Sequence, residues 1–354
     1  MAQTVINTAH FRQIWASGVF VEAKEKMFFK QSGLMGAGAN SVIQELSDLT
    51  KTRGDRIHVH LQMKLDGSGV TGDNTLKGNE EQLVLYQDTI TIDQLRNGVA
   101  YPGRLEAKKA AYDIMSMGRD ALVVWLAETM DQILINHVCG LTTETFPAAA
   151  LAPSANRKLY AGTATADGNL TDTAADRMTV EEISRARYTA ETANPLIRPI
   201  MVGGEPHYVM LMHPNQAFDL FYTDGTGSIA TMFRDNIKDA KSRGDDNPAF
   251  KNILSGAFGM WDGVILHSNR NVPIITTGGG SANVAYAPLM GAQAAAIAFG
   301  EAPTWGEEED DFGNKKSVGY GQIFGVKKMR FNSEDFGVLV VATNASAVAG
   351  TAHT

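Results

Sequence analysis

The sequence predicts a mixed α+β chain, and three observations carry that prediction. Two strand-like runs, Arg56–Leu65 and Leu83–Ile92, flank a polar tip, Asp66–Glu80, that has no core-forming pattern. A long helical run comes next, from about Arg104 to Cys139. Beyond it, short strands and helices alternate without a regular βαβ repeat. Glycine, at 35 of 354 residues, exceeds its usual share of about 7% and favours turns and β structure.

The first 55 residues read as an arm. Phe11–Trp15 and Val19–Phe29 carry short amphipathic helical patterns, broken by the glycine-rich patch Gly33–Gly38. Large apolar residues on an extended arm must pack somewhere, and Phe11, Trp15, Phe28 and Phe29 are expected to pack on a neighbouring subunit. The hairpin comes next. A two-stranded ribbon is only marginally stable alone, so the Ile57, Val59, Leu61, Val84 and Tyr86 faces also need a neighbour. That need points to an assembly device.

Pro102-Gly103 punctuates the chain before the helical run, with Gly118 as a possible irregularity and Asp113 as a cap for its later part. Leu122, Trp125, Leu126, Met130, Ile133 and His137 recur mostly at spacings of three and four, a buried helical stripe. From Asp113 to Cys139 the helix would span roughly 40 Å, a spine for other elements. Residues 141–178, rich in Thr, Ala, Gly and Asp, read as a long surface loop. Thr179-Val-Glu-Glu182 spells a capping box that opens a helix ending before Pro195. His207–Met212 reads as a strand, and Pro214–Phe221 as a helix with proline at its start. Further strands are expected at Gly263–His267, Val284–Tyr286, Ala292–Phe299, Gly319–Met329 and Gly337–Ala342, with the acidic run Glu307–Asp311 as a loop.

Composition excludes several function classes. Net charge is −8 and the pI near 5.5, unlike a basic nucleic-acid reader with a pI above about 9. Near DNA, such a protein would surround it without gripping it. The one cysteine, Cys139, allows no intrachain disulfide and no CxxC zinc site. The N-terminal residues lack the pattern of a secretory signal, and no apolar run approaches the roughly 18 residues of a membrane span.

The chemical motifs are weak. Gly67-Ser-Gly69-Val-Thr-Gly72 spells GxGxxG, but the residues after it, Asp73–Asn79, do not open a helix, as a dinucleotide site requires. It reads as turn chemistry, and no cofactor is expected. His58 and His60 share one strand face, yet no third ligand lies nearby and no metal is expected. The acidic run lacks the spaced donors of a calcium loop. Arg53-Gly54-Asp55 and Arg243-Gly244-Asp245 spell an adhesion tripeptide and fit simple turns. No GxSxG, HExxH or P-loop lysine motif occurs, so no catalytic residue is assigned.

Several longer stretches carry a family resemblance. Gly69-Val-Thr-Gly-Asp-Asn-Thr-Leu-Lys-Gly-Asn-Glu-Glu81 and Asp88-Thr-Ile-Thr-Ile-Asp-Gln94 resemble the hairpin of tailed-phage major capsid proteins, in the subgroup typified by a large short-tailed coliphage. Tyr112-Asp113, Trp125–Gln132, Met212–Ala217 and Ser255–Val264 are similar to that family too, so the likeness runs over roughly residues 10–342. It implies the Hong Kong 97-type coat fold: an N-terminal arm (1–55), an extended hairpin loop (56–101), a peripheral domain with a spine helix (102–195 and 316–345), an axial domain (196–315) and a C-terminal tail (346–354).

The function implied is structural. Subunits would form pentamers and hexamers of an icosahedral virion shell around double-stranded DNA, assembled in the host cytoplasm. Portal, scaffold and decoration proteins would be further partners, with no membrane involved. The hairpin contacts would come from Asp66, Gly67, Gly69, Val70, Gly72, Asp73, Leu76, Lys77, Gly78, Glu80 and Glu81. Lys64 and Lys77 lie in the loop that some relatives crosslink, but no partner asparagine or catalytic glutamate is identifiable, so crosslinking is not expected. The alternatives are a cellular nanocompartment shell of the same fold, an enzyme with scattered catalytic residues, and an adhesin.

Overall fold

The structure, a computed structural model, describes residues 19–47, 54–65, 67–101, 103–109, 114–222 and 256–345. Phe11, Trp15, Asp66, Pro102, Tyr112-Asp113, Ser255, the second Arg-Gly-Asp and the tail 346–354 therefore lie outside the described residues.

In chain order the elements are helix α1 (19–26), α2 (Phe28–Gln31), strands β1 (Met35–Gly36), β2 (Ile43–Leu46), β3 (Arg56–Gln62), β4 (Leu85–Thr91) and β5 (Asp93–Ala100), then helices α3 (Arg104–Lys109) and α4 (Ile114–Cys139). After α4 come β6 (Lys158–Tyr160), α5 (Val180–Thr192), β7 (Ile200–Val202), β8 (Glu205–Met212), α6 (Pro214–Tyr222), β9 (Gly259–Trp261), β10 (Val264–Ser268), β11 (Ile274–Ile275) and β12 (Val284–Met290). The chain closes with β13 (Ala295–Phe299), β14 (Thr304–Asp310), β15 (Lys315–Lys328), β16 (Arg330–Phe331), β17 (Glu334–Asp335) and β18 (Val338–Asn344).

Two sheets flank α4. The first runs β1-β2-β13-β15-β14, with β5 also on β15; the second runs β6-β18-β12-β8-β10-β9, with β7 on β8 and β11 on β12. Leu122, Leu126, Met130, Leu134 and Val138 of α4 share one core with Ile297, Val318 and Phe324 of the first sheet and Val209, Ile265 and Val340 of the second. Toward its C-terminus α4 is buried all round, as expected of a helix enclosed on every side. Gly140 ends it in left-handed backbone (φ 73), with Gly140 N donating to His137 O and Leu141 N to Asn136 O, the bond pair of a Schellman stop.

The second sheet is covered on both faces. Val209 and Leu211 point to the α4 side, whereas Tyr208, Met210 and Met212 pack with Ile183 of α5 and Leu220 of α6. Double coverage explains why β8 reads as a continuous apolar run.

Several sequence expectations needed correction. The acidic run Glu307–Asp311 is not a loop: Glu307 through Asp310 lie in β14, where Glu309 pairs with Lys316 and Asp310 with Lys315 across β15. Opposite charges directly across an antiparallel pair support a strand that its own propensity disfavours. Strand β5 was not foreseen, and it pairs with β15 from Asp93 to Ala100. Within α4, Gly118 marks no break: a Cβ there would lie 2.2 Å from the Tyr101 hydroxyl, so the glycine admits that ring. Within 141–178, β6 joins the second sheet. Thr179 caps α5 by accepting from Glu182 N at 3.5 Å, but the box is half made. The Glu182 carboxylate instead accepts from Gly162 N at 3.2 Å and pairs with Arg185 at 2.7 Å.

Candidate inter-subunit interface

The hairpin has a fixed root and a coreless tip. β3 and β4 pair from Arg56↔Thr91 to Gln62↔Leu85. Strict alternation puts Ile57, Val59 and Leu61 on one face with Tyr86, Asp88 and Ile90. That face is covered by its own subunit: Ile57 and Ile90 are buried with Ala296, Ala298, Met329 and Phe331, and Val59, Leu61 and Tyr86 pack against this cluster. The expectation that these residues wait for a neighbour is thereby corrected, and of that set only Val84 stays largely exposed. The small side chains of Ala296 and Ala298 on β13 let the ribbon approach closely.

A polar clamp fixes the root. Lys327 Nζ donates to Asp88 Oδ1 and, at 2.9 Å, to Thr89 O. Arg330 N donates to Asp88 Oδ2 at 3.0 Å, and Thr89 N to Asp88 Oδ1 at 2.8 Å. Asp88 is only 8% exposed, so each of these donors replaces lost water. At the crossing with β15, a Cβ on Gly325 would lie 2.4 Å from Thr91 O. On the opposite face Gln87 Nε2 donates to His58 Nδ1 at 2.7 Å, with Thr89 Oγ1 at 3.0 Å. Among the described residues no group of three His, Cys, Asp or Glu is placed to hold a metal.

The tip differs. Gly67, Gly69, Gly72, Asp73, Lys77, Gly78, Glu80 and Glu81 are exposed and Val70 half-exposed. Gly69, Gly72 and Gly78 have positive φ (68, 65 and 92) with open space where a Cβ would be, so they serve the turns. Polar bonds hold the shape: Gly67 N donates to Glu81 Oε2 at 2.7 Å, Gly78 N to Glu80 Oε2 at 2.6 Å and Asn79 N to Leu76 O at 2.9 Å. Leu65, Leu76, Leu83, Val84 and Leu85 are 44–61% exposed. All five of these large apolar side chains stand exposed on one projection. Sequence reasoning singled out Leu76 and Val84; the Leu83-Val84-Leu85 run at the tip's edge was the available signal for Leu83 and Leu85, while Leu65 reads as the end of the first strand run.

The arm segment is divided between surface and core. Phe29 has no exposed surface and lies in the α4 core, and Phe28 is half-buried against it. Phe29 therefore packs in its own subunit, contrary to expectation, because α2 is tied down: Phe28 N donates to Asp131 Oδ2 of α4 at 2.7 Å. Burial raises the Asp131 pKa from 3.8 to about 7 against the pull of the Phe28 and Phe29 backbone donors. Beside it, the His267 ring packs edge-on to Phe28 at 5.7 Å, and burial lowers its pKa to about 4.

Comparison with known proteins gives consistent matches. A family model described as phage capsid protein matches residues 4–347. The major capsid protein of Pseudomonas phage KPP25 is 28% identical over 93% of this chain and 94% of that one. Among solved structures, the capsid of Ralstonia phage GP4 matches with a TM-score of 0.79 and 33% identity, over 91% of this chain and 92% of that one. The capsid of cyanophage Pam1 matches with a TM-score of 0.74 and 25% identity, over 98% and 100%.

Proposed function

The chain belongs to the phage capsid protein family, and from that premise we propose that its hairpin tip is the surface through which one subunit holds the next. It is a phage major capsid protein, a structural shell protein of the virion with the α+β Hong Kong 97-type coat fold, and such proteins self-associate. On our reading the subunits form pentamers and hexamers of an icosahedral shell enclosing double-stranded DNA, assembled in the host cytoplasm. The chain does no catalysis. Residues 1–55 act as the arm and 56–101 as the extended loop. The first sheet with α4 acts as the peripheral domain and the second sheet as the axial domain, so the expected division at residue 316 is not kept: β13 and β14 pair with β15, and β18 pairs with β12.

One observation carries the proposal: the hairpin root is cored inside its own subunit, while the tip exposes Leu65, Leu76, Leu83, Val84 and Leu85 with no core of its own. A surface like that is complete only when a second copy covers it. The exposed Val21 of α1, with Phe11 and Trp15, adds contacts. Net charge of −8 suits a lining that does not grip phosphate, because tight non-specific binding needs lysines and arginines to displace counterions. Portal, scaffold and decoration proteins are the expected further partners.

Deleting residues 66–80 and replacing Leu65, Leu83, Val84 and Leu85 with serine tests the proposal. The subunit should stay folded and soluble, because the clamp and the buried root lie outside the deletion, while closed shells should fail or misassemble under negative-stain microscopy. Normal closed particles from the deleted chain would refute it.

A further inference from the structure

The turn joining β14 to β15 carries a feature that the hairpin contact leaves unused. Asp311, Phe312 and Gly313 all have positive φ (51, 50 and 80). Glycine adopts this conformation freely, but an aromatic residue there is a strained outlier. The turn holds Phe312 wholly in solvent, at 109% relative exposure. A single surface phenylalanine is ordinary, but this one is held out by its backbone and rimmed by acid. Glu307, Glu308, Glu309, Asp310 and Asp311 precede it, and only Lys315 and Lys316 come after it. An aromatic side chain inside a polar rim has the anatomy of an interface anchor.

The same end of the subunit carries a surface of opposite character. Tyr101 N donates to Lys316 O at 2.8 Å, and a Cβ on Gly103 would lie 3.4 Å from the Asn314 side chain. Helix α3 therefore begins beside the turn, and Tyr101 sits against Gly118 of α4. On these two helices Leu105 is 69% and Met117 53% exposed, and Lys108 is exposed. Lys109 is exposed beside Lys108. An acid-rimmed aromatic thus lies near the starts of helices that expose Leu105, Lys108 and Met117, without being the same patch. Two different complementary patches make a head-to-tail contact, which closes into a ring when the rotation permits.

We propose that Phe312 is an inter-subunit anchor. Within the shell reading on which this rests, the β14–β15 turn of one copy seats Phe312 against the α3–α4 surface bearing Leu105 and Met117 of a second copy, around a rotation axis of the shell. The acidic strand faces the Lys108 side of that surface, which fixes the polarity of the contact.

The test uses the full chain. Phe312→Cys and Leu105→Cys subunits, each carrying one substitution, are co-assembled, oxidised and digested. A disulfide-linked peptide pair joining positions 312 and 105 is expected, and it can arise only between copies. The native Cys139 has no exposed surface and should not interfere. Should Leu105→Cys misfold, Met117→Cys serves as the second partner. Separately, Phe312→Ala should lower the yield of closed particles by about tenfold or more with unchanged thermal unfolding of the subunit, and Phe312→Tyr should restore it. Closed particles with neither linkage, or a normal yield from Phe312→Ala, would overturn the anchor and leave the shell reading intact. Failure of the unaltered chain to form particles would remove the shell reading itself, and the anchor with it.

Discussion

Asp131→Asn should stabilise the subunit at high pH and hardly at all in acid. Asp131 is 6% exposed on α4; its Oδ2 accepts from Phe28 N, while its Oδ1 has no hydrogen bond to any described residue. Burial outweighs the backbone donors and lifts its pKa from 3.8 to about 7. The folded state thus holds this proton more tightly than the unfolded chain does. The stabilisation is complete below pH 3.8 and is lost as pH rises through about 7. At ~1.4 kcal/mol per tenfold change in proton affinity, the ionised carboxylate costs at most about 4 kcal/mol above pH 7. Asparagine keeps an acceptor for Phe28 N and carries no charge, so a gain of about 2–4 kcal/mol is expected at pH 8. His267 pulls the other way: with its pKa lowered from 6.5 to about 4, it loses stability as pH falls through that window. Because both proteins keep His267, its effect cancels in the difference between them. Urea unfolding of dissociated subunits at several pH values between 4 and 8 measures that difference. A gain independent of pH, or a loss at pH 8, would refute the assignment of cost to the buried charge.

Two further predictions concern the hairpin root. Lys327→Met removes a donor from the buried Asp88 carboxylate and should cost about 1–3 kcal/mol in urea unfolding, part of which Asp88→Asn in the same chain should restore; an unchanged midpoint would show that the clamp does not hold the root. Gly325→Ala places a methyl 2.4 Å from Thr91 O and 3.1 Å from Ile92 Cγ2, so it should cost about 1–3 kcal/mol and speed amide exchange across residues 85–91, whereas unaltered exchange there would show that β15 and the root do not need this close approach.

The elements with strong local signals were legible in the sequence. Thr179 caps α5 and Pro214 opens α6 because the orphan N–H groups of a first turn select those residues. The spacing of Leu122, Leu126 and Met130 located α4, and all three are fully buried. β5 and β14 were illegible for a common reason. Neither Asp93–Ala100 nor Thr304–Asp310 has the alternation or the β-branched content of a strand, and each exists because β15 pairs with it. The proposed interface was half legible. The missing core pattern in the tip was visible as composition, but alternation in β3 says only that one face is covered, not whether the cover is the same chain. Phe29 shows the same limit: amphipathic spacing on an arm demands burial without naming the partner, and Asp131, far away in sequence, decides it.

If the hairpin contact is as proposed, that division between root and tip has an energetic consequence for assembly. Fully burying a large apolar side chain gains about 1.5–3 kcal/mol. The five on the tip are already about half covered, so a neighbour adds about 4–7 kcal/mol per hairpin, before the losses of association. A gross gain of that size corresponds to a dissociation constant from about millimolar to about ten micromolar, and ordering the tip weakens it further. One hairpin alone would let go readily. In a closed ring each subunit both gives and receives such a contact, so release requires several to break together, and the combined hold far exceeds that of any single pair. Weak contacts on a rigid root therefore let a misplaced subunit detach during growth, yet hold once the shell is closed. A stronger tip would trap errors, and a softer root would not present the tip in one orientation. The clamp of Asp88 by Lys327 and the close seat at Gly325 supply the second requirement, and the modest apolar area of the tip supplies the first.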